Sequence, residues 1–85
     1  MKYTVVWLTS ANNELARLWL EAADRDAVSL AAGRIDRLLG MAPLDYGESR
    51  EFPMRVLLCD PLGVEYKVDD DDRKVLVVSV WIRRF

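Results

Sequence analysis

Three runs of β-branched and other apolar residues, crowded into positions 54–82 and separated only by turn formers, constrain this chain more than any other feature. Met54 to Cys59 is the first run. Asp60-Pro61-Leu62-Gly63 has the residues of a tight turn, Val64 to Val68 is the second run, Asp69 to Arg73 turns the chain again, and Lys74 to Ile82 is the third. Strands joined this closely pair antiparallel, because a parallel crossover needs a dozen or more residues. The pattern predicts an antiparallel meander.

The first half reads differently. Residues 2–8 (KYTVVWL) form a β-prone run that ends at Thr9 and Ser10, whose hydroxyls suit a helix N-cap. From Asn12, Leu15, Leu18, Trp19 and Ala22 make the stripe of an amphipathic helix that stops near Ala23. Asp24 can cap a second helix with an inward stripe of Val28, Ala31, Ala32, Ile35, Leu38 and Leu39, and Gly40 and Pro43 supply its stop signals. Gly33, inside that helix, costs up to about 1 kcal/mol relative to alanine, so it is either a close-packing position or simply tolerated. The polar stretch 44–53 (LDYGESREFP) reads as a connecting loop and not a strand.

Strand, helical hairpin and three-stranded meander in that order predict one α+β domain over 1–85, with helices on one face of a single sheet. Alternation assigns Leu76, Val78, Val80 and Ile82 to the helix-covered side, together with Met54, Val56, Leu58, Val64, Tyr66 and Val68. The other face then carries Arg55, Leu57, Cys59, Glu65 and Lys67, with Val77, Trp81 and Arg83. This register assumes no β-bulge. Leu57, Val77 and Trp81 give that open face enough apolar surface for a protein partner, either a different protein or a second copy in a homodimer.

Composition sets limits. With 85 residues and 52% apolar content the chain can build one modest core. A single cysteine and no histidine predict a reduced compartment, no metal and no cofactor. No apolar run is long enough for a membrane span, and no signal segment opens the sequence, so a cytoplasmic location is expected. The net charge of -2 and pI of about 5.0 count against nucleic acid as an obvious partner. Asp69 to Asp72 lack the glycine and distal glutamate of an EF-hand loop, and Cys59 has no histidine to activate it.

The run RVLLCDPLGVEYKVDDDDRKVLVVSVWIRR resembles the signature end of the RelE/ParE toxins of bacterial type II toxin-antitoxin systems, also grouped as plasmid stabilisation proteins. Val64-Glu65-Tyr66-Lys67-Val68, the acidic turn, and the Val-rich strand closing on Arg83 stand in the order that family shows, and the opening strand and helical hairpin match in order and length. The resemblance implies a toxin neutralised by a cognate antitoxin. RelE-like members act as mRNA interferases on the ribosome, the activity expected first here, and the alternatives are poisoning of DNA gyrase, as by ParE-like members, or a catalytically inactive toxin-fold module that binds protein.

Carried residue by residue, the resemblance makes Arg83 the last-strand arginine and Arg55 the second-strand basic group, the two candidates for a catalytic role at a phosphate. Lys67, Arg84 and Trp81 are the corresponding candidates for contact with nucleic acid. The departures are as informative. Gly63 stands three residues before Tyr66, where ribonucleolytic relatives carry arginine, and no tyrosine or histidine follows Arg83. Alternation points Tyr66 inward, where a core tyrosine with a satisfied hydroxyl is expected. The edge left at the last strand would be covered by an antitoxin segment or a second protomer.

Overall fold

A computed structural model describes residues 2–83. β1 (Thr4–Trp7) leads into α1 (Thr9–Glu21) and α2 (Arg25–Met41), followed by β2 (Glu48–Ser49), β3 (Arg55–Cys59), β4 (Leu62–Asp69) and β5 (Lys74–Ile82). The strands form one five-stranded sheet in the order β1-β5-β4-β3-β2. β3, β4 and β5 are the expected antiparallel meander, and β1 adds to β5 in parallel. The last strand is therefore interior to the sheet, flanked by β1 and β4, and the expected exposed edge there does not exist. Within the stretch expected to be loop, β2 pairs briefly with β3.

The chain leaves the sheet directly into α1. The Leu8 N–H donates to the Val77 carbonyl at 3.0 Å, and Leu8 is itself the N-cap, without a side-chain capping bond. Thr9 and Ser10, expected as caps, lie in the first turn instead. Asp24 caps α2 as expected, accepting from the Ala27 N–H at 3.0 Å. The hairpin corner is held by Arg25, which donates to the Trp19 and Leu20 carbonyls and stacks 4.7 Å from the Trp19 ring centroid. Gly40 does not stop α2 but lies inside it, where its carbonyl accepts from the Tyr3 N–H at 2.7 Å. A methyl group at Gly33 would meet only the Arg37 guanidinium, at 3.8 Å, so that glycine is tolerated and not a packing contact.

The core is built from Val28, Ala31, Ile35 and Leu39 of α2, Ala11 and Leu18 of α1, and one face of the sheet. Burying each of its larger aliphatic side chains is worth about 1.5–3 kcal/mol. That sheet face differs from the expected one in two places. Between β3 and β4 the turn is only Asp60-Pro61, so Cys59 pairs with Leu62, Leu57 with Val64 and Arg55 with Tyr66. Because Leu62, Val64 and Tyr66 are fully buried, their partners must face the core as well. Leu57 and Cys59 are accordingly buried, and Leu58, expected inside, is exposed.

The second difference is a β-bulge. Glu65 pairs with Ser79 but Tyr66 pairs with Val77, which leaves Val78 as the extra residue on β5. Before it, Val75 and Val77 are inward; after it, Val80 is inward and Ile82 packs on the core. The expected placement of Val80 and Ile82 stands, whereas Val77 belongs to the core and Leu76 does not.

A polar clasp closes one end of the sheet. The Tyr66 hydroxyl lies 2.7 Å from the carbonyl oxygens of both Pro43 and Tyr46 and accepts from Arg55 Nε at 3.3 Å. Arg55 Nη2 donates to the Leu44 carbonyl at 3.0 Å and the Gly47 carbonyl at 3.4 Å. Gly47 has φ +81°, and a methyl group there would stand 2.5 Å from the Tyr66 hydroxyl and 2.8 Å from the Val56 carbonyl. Nearby, the Thr4 N–H donates to the Arg73 carbonyl at 2.8 Å, Tyr3 bonds Asp70, and Arg73 reaches the Tyr3 hydroxyl at 2.9 Å.

Two outcomes follow for stability. Removing the hydroxyl in Tyr66→Phe takes away the one donor shared by the buried Pro43 carbonyl and the part-buried Tyr46 carbonyl and costs about 1–3 kcal/mol, while Gly47→Ala adds a left-handed backbone penalty to a steric one and costs about 2 kcal/mol or more; urea unfolding of the whole chain measures both. The hydrogen bond to Asp70, more than any other cause, raises the Tyr3 phenol above its ordinary pKa of 10.0. Its folded pKa being raised, that contact stabilises fully below pH 10.0 and is lost as pH rises through the folded value. The urea midpoint of the parent chain is expected to fall more steeply above pH 10.0 than that of Tyr3→Phe.

Candidate functional site

The two helices cover one side of the sheet, and among the described residues no helix covers the other. Past the bulge, Trp81 returns to the open face as expected and lies opposite Gly63 across the β4–β5 pair. A methyl group on Gly63 would fall 2.6 Å from Cε2 and 2.7 Å from Cζ2 and Nε1 of the indole. The ring therefore occupies the position from which any side chain at residue 63 would project. Trp81 stays 37% exposed, and Val6 and Leu58 add apolar surface to the same face at 38% and 47%. Glu65, Lys67 and Leu76 share it, half-buried.

Arg83 continues this face just past the last strand pair. Its backbone N–H donates to the Pro61 carbonyl at 2.8 Å, and its guanidinium forms an ion pair with Asp60. Lys67 lies farther along the sheet, where it shares a shallow depression with Pro53, Val68, Asp69, Asp70, Asp71 and Leu76. From the Leu62–Ile82 pair to the Lys67–Leu76 pair the chain advances five residues on β4, roughly 17 Å at about 3.4 Å per residue. One phosphate cannot touch both Arg83 and Lys67.

Arg55 is farther still from that role. Its pairing with Tyr66 places it on the helix-covered side, where it is bound to loop carbonyls. The placements of Arg55, Leu57 and Val77 on the open face are thus corrected, the last two being 7% and 0% exposed. Arg84 lies outside the described residues. Of the sequence candidates, the structure brings together Trp81 and Arg83 and separates the rest. Among the described residues no group of carboxylate, cysteine or histidine side chains is arranged to hold a metal ion, and no helix is long and apolar enough to cross a membrane.

A second surface was not legible as such. Trp19 was expected in the inward stripe of α1, yet it is 38% exposed, and Leu20 beside it is 61% exposed. With Leu15 and Ala16 of α1 and Val28, Ser29 and Ala32 of α2 they line a groove of about 630 Å³ between the helices. The Trp19 N–H donates to Ser29 Oγ at 3.1 Å, which fixes the ring at the groove. Trp19 and Leu20 are adjacent and follow Leu18, so one helix stripe cannot bury all three, and this was the available signal.

No protein-family model matches the sequence, and no curated protein matches it. The chain superimposes on one from the toxin-antitoxin complex RelBE2 of Mycobacterium tuberculosis with TM-score 0.80 and 22% identity, covering 98% of this chain and 100% of that one. A chain of the chromosomal ParDE toxin-antitoxin system of P. aeruginosa follows at TM-score 0.75 and 14% identity, with 98% of both covered. The isolated E. coli RelE toxin gives TM-score 0.70 and 16% identity over 98% of this chain and 86% of that one. The fold is that of the RelE/ParE toxins.

The Gly63–Trp81 contact can be tested alone. In a chain whose other tryptophans are replaced (Trp7→Phe, Trp19→Phe), Gly63→Ala is expected to push the indole outward, read as a red-shifted emission and stronger acrylamide quenching. Unchanged quenching would show that the ring does not rest on residue 63.

Proposed function

We propose that the chain is the toxin component of a type II toxin-antitoxin pair and that its cognate antitoxin docks on the open face around Trp81 and in the hairpin groove at Trp19 and Leu20. The observation that carries this reading is agreement of the fold over nearly the whole chain with toxins of such pairs. The two apolar surfaces support it, since both expose aromatic and aliphatic side chains that a protein partner would desolvate.

On the target, the geometry favours action through protein contacts over cleavage of messenger RNA. Cleavage needs a base, an acid and cationic stabilisation gathered at one phosphate. Arg55 is on the other side of the sheet, Lys67 is far along it, and the Asp60 carboxylate stands at Arg83. DNA gyrase, the target of ParE-like toxins, is the protein target this reading adopts.

Expression without the product of the adjacent reading frame is expected to arrest growth, and co-expression to relieve it. Leu20→Glu and Trp81→Glu, both at exposed positions, are expected to weaken co-purification of the two proteins by roughly tenfold or more. Primer extension on translated messages is expected to show no codon-linked cuts, and purified protein to block gyrase supercoiling. Cuts that vanish in Arg83→Ala would restore the ribonuclease reading, and normal growth with no complex would refute the toxin reading altogether.

A further inference from the structure

The loop between α2 and β3 combines two properties. Its backbone is fixed from inside by the Tyr66 hydroxyl and the Arg55 guanidinium, which together engage the carbonyls of Pro43, Leu44, Tyr46 and Gly47. Its tip is closed by backbone bonds from the Arg50 N–H to the Met54 carbonyl and from the Met54 N–H to the Glu51 carbonyl, both 2.9 Å. Yet its outward side chains are large and apolar: Leu44 is 51% exposed, Tyr46 39% and Phe52 93%. A pre-organised loop loses little entropy on binding, so apolar groups displayed on one are suited to docking.

The charge around these side chains selects the kind of partner. Asp45, Glu48 and Glu51 lie on the loop, and its only exposed cation, Arg50, is paired with Glu48 at 2.9 Å. Pro53, next to Phe52, borders Lys67 as well as Asp69, Asp70 and Asp71, and with Asp72 the carboxylates of this turn outnumber Lys67, Arg73 and Lys74 by four to three. Nucleic acid phosphates would be repelled here. A protein segment with lysine or arginine around an apolar side chain is complementary in both charge and polarity.

We propose that the 42–54 loop is a docking surface for a basic, apolar segment of a partner protein, separate from the open face and the hairpin groove. The proposal does not rest on the toxin reading. It makes the loop a third binding surface, with Phe52 and Leu44 as its anchors and the surrounding carboxylates as its selector.

The test is an amide-resolved NMR titration of the whole chain with a synthetic amphipathic peptide of leucine and lysine. Its leucine-glutamate counterpart and an oligouridine serve as comparisons. The lysine peptide is expected to shift the amides of 44–52, the other two to leave them unmoved, and Phe52→Ser combined with Leu44→Ser to weaken binding roughly tenfold. Both residues are exposed, so an unchanged amide spectrum outside the loop confirms that the variant is folded. The proposal is overturned by absence of lysine-peptide binding, by equal affinity in the variant, by shifts centred on the hairpin or open face, or by oligouridine moving the same amides. Concentration-dependent shifts of the loop without peptide would assign it to a second copy of this chain and also overturn it. None of these outcomes bears on co-purification with the antitoxin.

Discussion

Much of this structure depends on where the Tyr66 hydroxyl finds its partners. A tyrosine in the centre of a small core must pair its hydroxyl or lose about 1–3 kcal/mol, and the nearest acceptors are carbonyls of the loop after α2. Meeting that need draws the loop over the end of the sheet and forces glycine at residue 47, where a side chain would collide with the same hydroxyl. Arg55, paired across from Tyr66, completes the arrangement by donating to two further carbonyls. A basic group that the family resemblance marks as catalytic is thereby used in holding the loop.

A second constraint, the Val78 bulge, acts at the middle of β5, beside the Tyr66–Val77 pair. Without it one alternation would run from Lys74 to Ile82, and Val77 and Trp81 would have to share a face. With it, Val77 enters the core and Trp81 emerges on the open side, so one extra residue lets a single strand supply both the buried wall and the exposed aromatic. Gly63 completes the arrangement from β4. The family resemblance leads to the expectation of an arginine at that position, and here the indole occupies the space such a side chain would need.

The sequence was legible where periodicity or a cap has a single reading. The hairpin, the Asp24 cap, the order of the meander strands and the inward Tyr66 all follow from it. It was ambiguous in RVLLC and KVLVVSVWI, whose residues are apolar on both sides and so give no preference between registers. The useful signal in the first was the short turn: once Leu62 is taken as a strand residue, Cys59 must face it and Leu57 must face Val64. The bulge left no such trace, because any of four consecutive aliphatic residues could have been the extra one. The candidate site inherited this ambiguity, which is why Trp81 and Arg83 came together and Arg55, Leu57 and Val77 did not.

The corrected faces also change what the net charge means. An acidic chain with a toxin fold is puzzling if its working surface must grip phosphates, since repulsion would act at every approach. The difficulty dissolves when the charges are placed. The carboxylates of residues 69–72 gather at the turn beyond β4, one carboxylate stands at Arg83, the hairpin groove is lined by uncharged side chains, and Trp81 leaves apolar surface exposed on the open face with Val6 and Leu58. Such surfaces gain affinity from desolvated aromatic and aliphatic side chains, with charge serving to orient the approach. The acidic balance is therefore consistent with a protein that acts by binding proteins, and it opposes the one function for which the fold would need a basic face.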